Sequence, residues 1–166
     1  MPIYAREPES KYAACPEGLY QAVCVDVIDL GTMVTQWGDK PKVRIVWQTE
    51  DEDPQTGRRY EVRGLYTLSL SEKSNLRKHL ESWRGRKFTS LELRGFDLEN
   101  LIGANCQIQI VHAISDQGKT FANVQAIVPA NAKAPKVAAV GYVRERDRAP
   151  VATTPHVIHA AGDVPF

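Results

Sequence analysis

Apolar and polar residues alternate with a period of two over several stretches of this chain, the pattern of strands with two unlike faces. From Leu19 onward, Val23, Val25 and Val27 alternate with Ala22, Cys24 and Asp26 until Gly31 ends the pattern. Residues 32–41, which include Trp37-Gly38-Asp39-Lys40, read as a polar loop. A second strand is expected from about 42 to 49, with Val43, Ile45 and Trp47 on one face and Lys42, Arg44 and Gln48 on the other. The acidic stretch Glu50-Asp51-Glu52-Asp53-Pro54-Gln55-Thr56-Gly57 is punctuated by Pro and Gly, and turns the chain into a third strand over 58–68.

The period then changes. Ser69 and Glu72 have capping-box spacing, and Leu76, Leu80 and Trp83 recur at helical intervals on one stripe. One apolar stripe suits a helix that plugs the open end of a barrel. Thr89 with Glu92 opens a shorter helical piece, and 97–102 reads as one more turn, stopped by Gly103. Alternation returns over 105–114, where Cys106, Ile108 and Ile110 oppose Gln107 and Gln109. Asp116-Gln117-Gly118 makes a hairpin turn into a last strand over 119–128, with Ala122 and Val124 inward and Phe121, Asn123 and Gln125 outward.

Three strands, a helical connection and two strands form the element order of the OB-fold, a mainly β, five-stranded Greek-key barrel with its helical insertion between strands 3 and 4. A different small β-barrel with an inserted helix is the structural alternative. The expected division is a flexible arm over 1–17, the OB domain over 18–129, and a disordered tail over 130–166 whose Ala, Pro, Val and Thr show no usable period.

Composition narrows the classes. The chain has 166 residues, 43% hydrophobic and 25% charged, which suits one soluble domain. Cys15, Cys24 and Cys106 form neither a metal-type pair nor a closed disulfide framework, so buried thiols in a reducing compartment are expected. A charged start leading into an apolar run, and any membrane-length apolar stretch, are both missing; the expected location is the bacterial cytoplasm. His156 and His159 have no rigid carboxylates nearby, and His112 has no nucleophile that the sequence can place beside it. With no P-loop, dinucleotide fingerprint or zinc spacing, neither a catalytic site, a metal nor a cofactor is expected.

The net charge of +1 does not by itself point to nucleic acid, but its distribution is uneven. Residues 40–94 hold a dense set of Lys and Arg, while four of the acids there cluster at Glu50, Asp51, Glu52 and Asp53. Lys40, Lys42, Arg44 and Arg63 are candidates to track a phosphate backbone, and Arg84, Arg86 and Lys87 form a second basic corner, with a solvated turn as the plain alternative. Single-strand binding also needs flat side chains on which bases stack. Trp37 is the first candidate, with packing on the barrel rim as its alternative, and Phe121 is the second. Tyr60 and Tyr66 share one face of the third strand and are candidates either for stacking or for the core, whereas Trp47 and Trp83 are expected in the core.

Two blocks carry a resemblance. Gly64-Leu65-Tyr66-Thr67-Leu68-Ser69-Leu70, continuing through Lys73-Ser74-Asn75-Leu76-Arg77-Lys78 to Trp83-Arg84-Gly85-Arg86-Lys87-Phe88-Thr89, resembles a family of small phage-encoded OB-fold proteins. Phe96-Asp97-Leu98 and Leu101-Ile102-Gly103 extend the likeness over most of 19–129. The resemblance implies a single-stranded DNA-binding protein of phage or bacterial replication and recombination. The terminus Asp163-Val164-Pro165-Phe166 is similar to the tip of bacterial single-stranded DNA-binding proteins, which implies docking onto replication and repair proteins. It departs from that pattern in having one acid, and the tail before it is basic (Lys133, Lys136, Arg144, Arg146, Arg148). The alternatives are a protein-interaction adaptor built on the same barrel and an RNA-binding OB domain. The sequence leaves the oligomeric state open.

Overall fold

The first strand, β1 (Gly18–Thr35), is long enough to serve two neighbours because two irregularities bend it. Its first part, Gly18 to Val23, pairs with β4 (Asn105–Ile114), and from Ala22 onward it pairs with β2 (Gly38–Glu52). Register shifts fall between Cys24 and Asp26 and between Asp29 and Gly31, and such bulges increase the local twist of a strand. A computed structural model supplies this description for residues 14–148; residues 1–13 and 149–166 lie outside it, and with them most of the expected arm and the Asp163–Phe166 tip.

β3 (Arg59–Thr67) pairs with β2, and β5 (Thr120–Pro129) pairs with β4, giving one antiparallel sheet in the order β3-β2-β1-β4-β5. The sheet rolls until Cα atoms of its two edge strands, β3 and β5, come within 8 Å of each other. α1 (Asn75–Arg84) packs on both edges and covers the gap between them. Its N-cap is Ser74, whose hydroxyl accepts the Arg77 N–H at 3.2 Å, so the helix starts later than the Ser69–Glu72 spacing predicts. Gly85, at φ 73°, ends it in the left-handed conformation that glycine adopts without a Cβ penalty. The second expected capping box forms as read: the Thr89 N–H donates to Glu92 Oε1 at 3.0 Å and the Glu92 N–H to Thr89 Oγ1 at 3.2 Å.

The main core fills the inside of the roll. Ala22, Cys24, Val43, Ile45, Trp47, Val62, Ile108 and Ile110 meet the α1 stripe of Leu76, Leu80 and Trp83. Trp47 is fully enclosed, and the Trp83 indole N–H donates to the Asn105 carbonyl at 2.9 Å. All three cysteines are buried and free, and loss of solvation pushes the thiols of Cys15 up to about 11 and of Cys24 up to about 12. They remain neutral apolar filling.

The bulge in β1 corrects the simple alternation expected there. After Cys24, both Val25 and Asp26 lie on the outer face, and Val27 rejoins Ala22 and Cys24 inside. Residues 32–41 are not a loop either. β1 and β2 continue as a paired two-stranded arm through Met33↔Lys40 and Val34↔Asp39 to Thr35↔Gly38. The register stays unbroken up to the two-residue turn Gln36-Trp37, where both φ values are negative, and Gly38 follows it at φ 103°.

The expected tail boundary at 129 also moves. Residues 131–148 cross the outer face of β1 and β2 as a strap. Val137 is buried against Val23, Val25 and Val46, a cluster joined by Ile28 and Tyr142. Val137 and Val140 are each gripped at both main-chain polar groups by one side-chain amide. Asn105 accepts from the Val137 N–H (2.7 Å) and donates to its carbonyl (3.1 Å). Gln48 does the same at Val140, at 2.8 and 2.9 Å. Residues with no periodic pattern are thus placed by polar side chains distant in sequence. Among the described residues no helix is long and apolar enough to cross a membrane.

Candidate nucleic-acid interface

β3 is the common floor of three surface grooves. The first, of about 930 Å³, lies between the β1–β2 arm and the loop that leads into α1. Trp37 stands at its outer end, 78% exposed at the tip of the arm. Lys40, Lys42 and Lys73 supply its charge, and no carboxylate lines it. The Lys42 ammonium donates to Thr67 Oγ1 at 2.8 Å, which fixes it at the rim. The Trp37 N–H and the Gly38 carbonyl both bond the Thr35 hydroxyl, at 3.1 and 2.6 Å, so the turn that carries the indole is itself braced.

Leu65 and Tyr66 border both the first groove and a second one, of about 310 Å³, in the gap between β3 and β5. Arg63, Asn75, His79, Asn123 and Gln125 complete this second groove, again without a carboxylate. Arg63 in turn borders a third groove, of about 470 Å³, between β3 and the strap. Lysine and arginine side chains therefore recur along the whole of β3. A strand of nine residues spans roughly 26 Å at about 3.3 Å per residue, room for several nucleotides of an extended chain.

The structure sorts the sequence-predicted residues. Trp37, Lys40, Lys42 and Arg63 lie on this path. Arg44 is half-buried on the outer face of β2, in register between Ile28 and Leu65. Phe121 is 50% exposed and shares the outward face of β5 with Asn123 and Gln125, which border the second groove. Tyr60 is half-buried, packed against the core from below while it lines the third groove.

Tyr66 is not a stacking platform. Only 5% of it is exposed, and its hydroxyl bonds His79 Nδ1 at 2.7 Å beneath the groove floor. Burial lowers the His79 pKa and favours the neutral ring in that pair. The basic corner also changes meaning. Arg84 is committed to Glu92 at 2.7 Å and lies over the rings of Phe88 and Phe96, at 4.7 and 5.7 Å. It locks the segment after α1, and with its side chain 19% exposed it offers phosphate little surface. The hydrogen bonds from Arg84 and from the Thr89 N–H hold the Glu92 pKa down at about 2. Arg86 and Lys87 are exposed but border none of the three grooves.

Sequence reasoning placed Arg148 in a basic tail expected to touch DNA, and did not single out Lys73, Asn123, Gln125 or the strap's Tyr142. Lys73 is visible as part of the basic stretch; the strap residues required knowledge of where the chain returns. That return is anchored at Asp26, a buried carboxylate on the outer face. It accepts from the Tyr142 hydroxyl (2.8 Å), Arg144 Nε (3.0 Å) and the Glu145 N–H (2.9 Å). Burial alone would raise the Asp26 pKa, but these three donors together outweigh it and hold the carboxyl below its ordinary value. Arg144 also forks onto both oxygens of Glu99, at 2.9 and 3.1 Å. A scan against protein-family models found no match, and no curated protein matches the chain.

Proposed function

We propose that this chain binds single-stranded DNA along β3, with little sequence preference, in the replication or recombination of a phage or its bacterial host. The observation that carries the reading is Trp37, an exposed indole braced at the tip of a paired arm, above a groove with three lysines and no carboxylate. An aromatic face beside a basic channel is the combination that single-strand binding needs: base stacking supplies sequence-tolerant affinity and the cations follow the phosphates. The sheet order β3-β2-β1-β4-β5, its near-meeting edges and the helix between the third and fourth strands support an OB-type barrel as the scaffold. In such barrels strands 2 and 3 and the loop between strands 1 and 2 carry the ligand, which is where the first groove lies.

The mechanism is capture without chemistry on the strand. Lys40, Lys42, Lys73 and Arg63 replace counterions along the backbone; Trp37 offers a stacking surface at the first groove, and Phe121 offers one on β5 beside Asn123 and Gln125 of the second. The Asp163-Val164-Pro165-Phe166 tip, outside the described residues, is read as the segment that docks onto replication or repair proteins. Fluorescence anisotropy with single-stranded DNA, double-stranded DNA and RNA across a salt series tests the reading. Preferential binding of single-stranded DNA with affinity that falls as salt rises is expected. Equal weak binding to all three, or the absence of a salt dependence, overturns it, and a preference for RNA moves the chain to the RNA-binding alternative.

A further inference from the structure

We infer that the groove between β3 and the strap is a second anion-binding segment, which takes a phosphodiester backbone and to which the strap contributes Arg148. The inference rests on the reading of β3 as a single-stranded DNA path. Arg58, Arg59 and Arg63 line one side of this groove, and Tyr142 and Arg148 of the strap line the other.

Charge decides what it can hold. Four guanidinium groups border it against two carboxylates, Asp53 and Glu61. Asp53 is buried and turned into its own hairpin, where it accepts the Gln55 N–H at 2.9 Å. Glu61 reaches Arg63 at 3.8 Å, a long contact between exposed groups that leaves the guanidinium largely available. The planar fork of arginine matches the paired oxygens of a phosphate, and it binds them more specifically than an ammonium does. Arg148 is pre-set for such a role. It lies over the Tyr142 ring at 5.3 Å and donates Nε to the Val143 carbonyl at 3.1 Å, so its orientation is fixed before a ligand arrives.

The groove joins the rest of the path through Arg63, which borders the middle groove as well. One wall is the rolled sheet and the other is a segment held on it by Asp26 and Glu99. A ligand that touches both walls favours the docked strap, and loss of docking weakens the ligand in equal measure.

The test uses the full chain and oligothymidylates of increasing length in a salt series, with the double variant Arg58→Ala/Arg148→Ala set beside Lys40→Ala/Lys42→Ala. Short oligomers that fit the Trp37 groove are expected to bind the arginine variant as they bind the parent. Longer ones are expected to lose affinity, with the slope of log K against log salt reduced by about 1.4, at roughly 0.7 per phosphate contact on a single strand. Arg148→Lys, which keeps the charge, should retain most of the slope, and an unchanged thermal midpoint shows that the fold is intact. An unchanged slope at every length, with binding still weakened by the lysine variant, overturns this inference and leaves the β3 reading standing. Failure of the parent chain to bind any oligomer removes both. Arginine-dependent binding of polyglutamate that oligothymidylate does not displace assigns the groove to an acidic protein and also overturns the inference.

Discussion

Arg144 Nε lies 3.0 Å from Asp26 Oδ1, across 118 residues of chain, and this pair ties the C-terminal strap to the bulge of β1. The bulge puts Asp26 on the outer face of the sheet, where the strap supplies three donors beside the Val27 N–H of β1 at 2.9 Å. Removing the carboxylate leaves a mostly buried guanidinium with Glu99 as its remaining ion-pair partner among the described residues. Asp26→Ala is therefore expected to cost about 3–5 kcal/mol, the range for breaking one side of a buried pair. Urea denaturation measures the loss. Trypsin should cut earlier at Arg144, Arg146 and Arg148 than it does in the parent chain, and an unchanged cleavage pattern would mean that the strap is held without this pair.

Acid should act through the same anchor. Asp26 and Glu92 both have folded-state pKa values below their unfolded ones, Glu92 at about 2. Their contributions are fully present above the unfolded values, about 3.9 and 4.3, and decline as pH falls through the folded values. Stability should thus decline progressively from about pH 4.5 towards pH 2. Asp26→Asn should flatten part of that decline. Unfolding midpoints across the range check the sign, and a profile identical in the variant would remove Asp26 from the explanation.

Trp37→Ala separates binding from folding. The indole is exposed on a braced turn, so the thermal midpoint should stay within about a degree or two, since surface changes away from packing are small. Affinity for single-stranded DNA should fall by about 1–3 kcal/mol, the worth of one base–aromatic stack. Anisotropy titration reads the second effect and a melt the first.

The basic corner gives the opposite contrast. Arg84→Ala removes the Glu92 pair and the cover over Phe88 and Phe96, and should destabilise the chain by roughly 1–3 kcal/mol with little change in DNA affinity. Arg86→Ala and Lys87→Ala should be nearly silent in stability. A marked loss of affinity in either one would extend the DNA path beyond the grooves along β3.

Deleting Asp163 to Phe166 should leave DNA affinity and the unfolding midpoint unchanged and abolish recruitment of replication or repair proteins in a pull-down. Recovery of the same partners by the shortened chain would contradict the tip assignment.

These contrasts show what the sequence carried. Where one face is buried and the other wet, alternation located the elements: Cys106, Ile108 and Ile110 point inward as their spacing predicts, and Leu76, Leu80 and Trp83 form one helix face. The arm from Thr32 to Pro41 escaped because both of its faces are exposed, so nothing in its polarity alternates with burial. Tyr66 and Trp37 look alike as aromatic residues near lysines, and only the roll of the sheet buries one and exposes the other. The strap was illegible for a different reason. Its place is set by Gln48, Asn105 and Asp26, polar residues in or at the start of strands, whose partners lie 92, 32 and 118 residues away.

The grip of Gln48 and Asn105 on the main chain of Val140 and Val137 also bears on where a shortened chain can end. A fragment ended at Pro129 would bare Val23, Val25 and Val46 as a sticky apolar patch around an Asp26 stripped of its Tyr142, Arg144 and Glu145 donors. Carried through Arg148, the same fragment keeps that patch sealed, so solubility of the domain is decided by residues beyond its last strand.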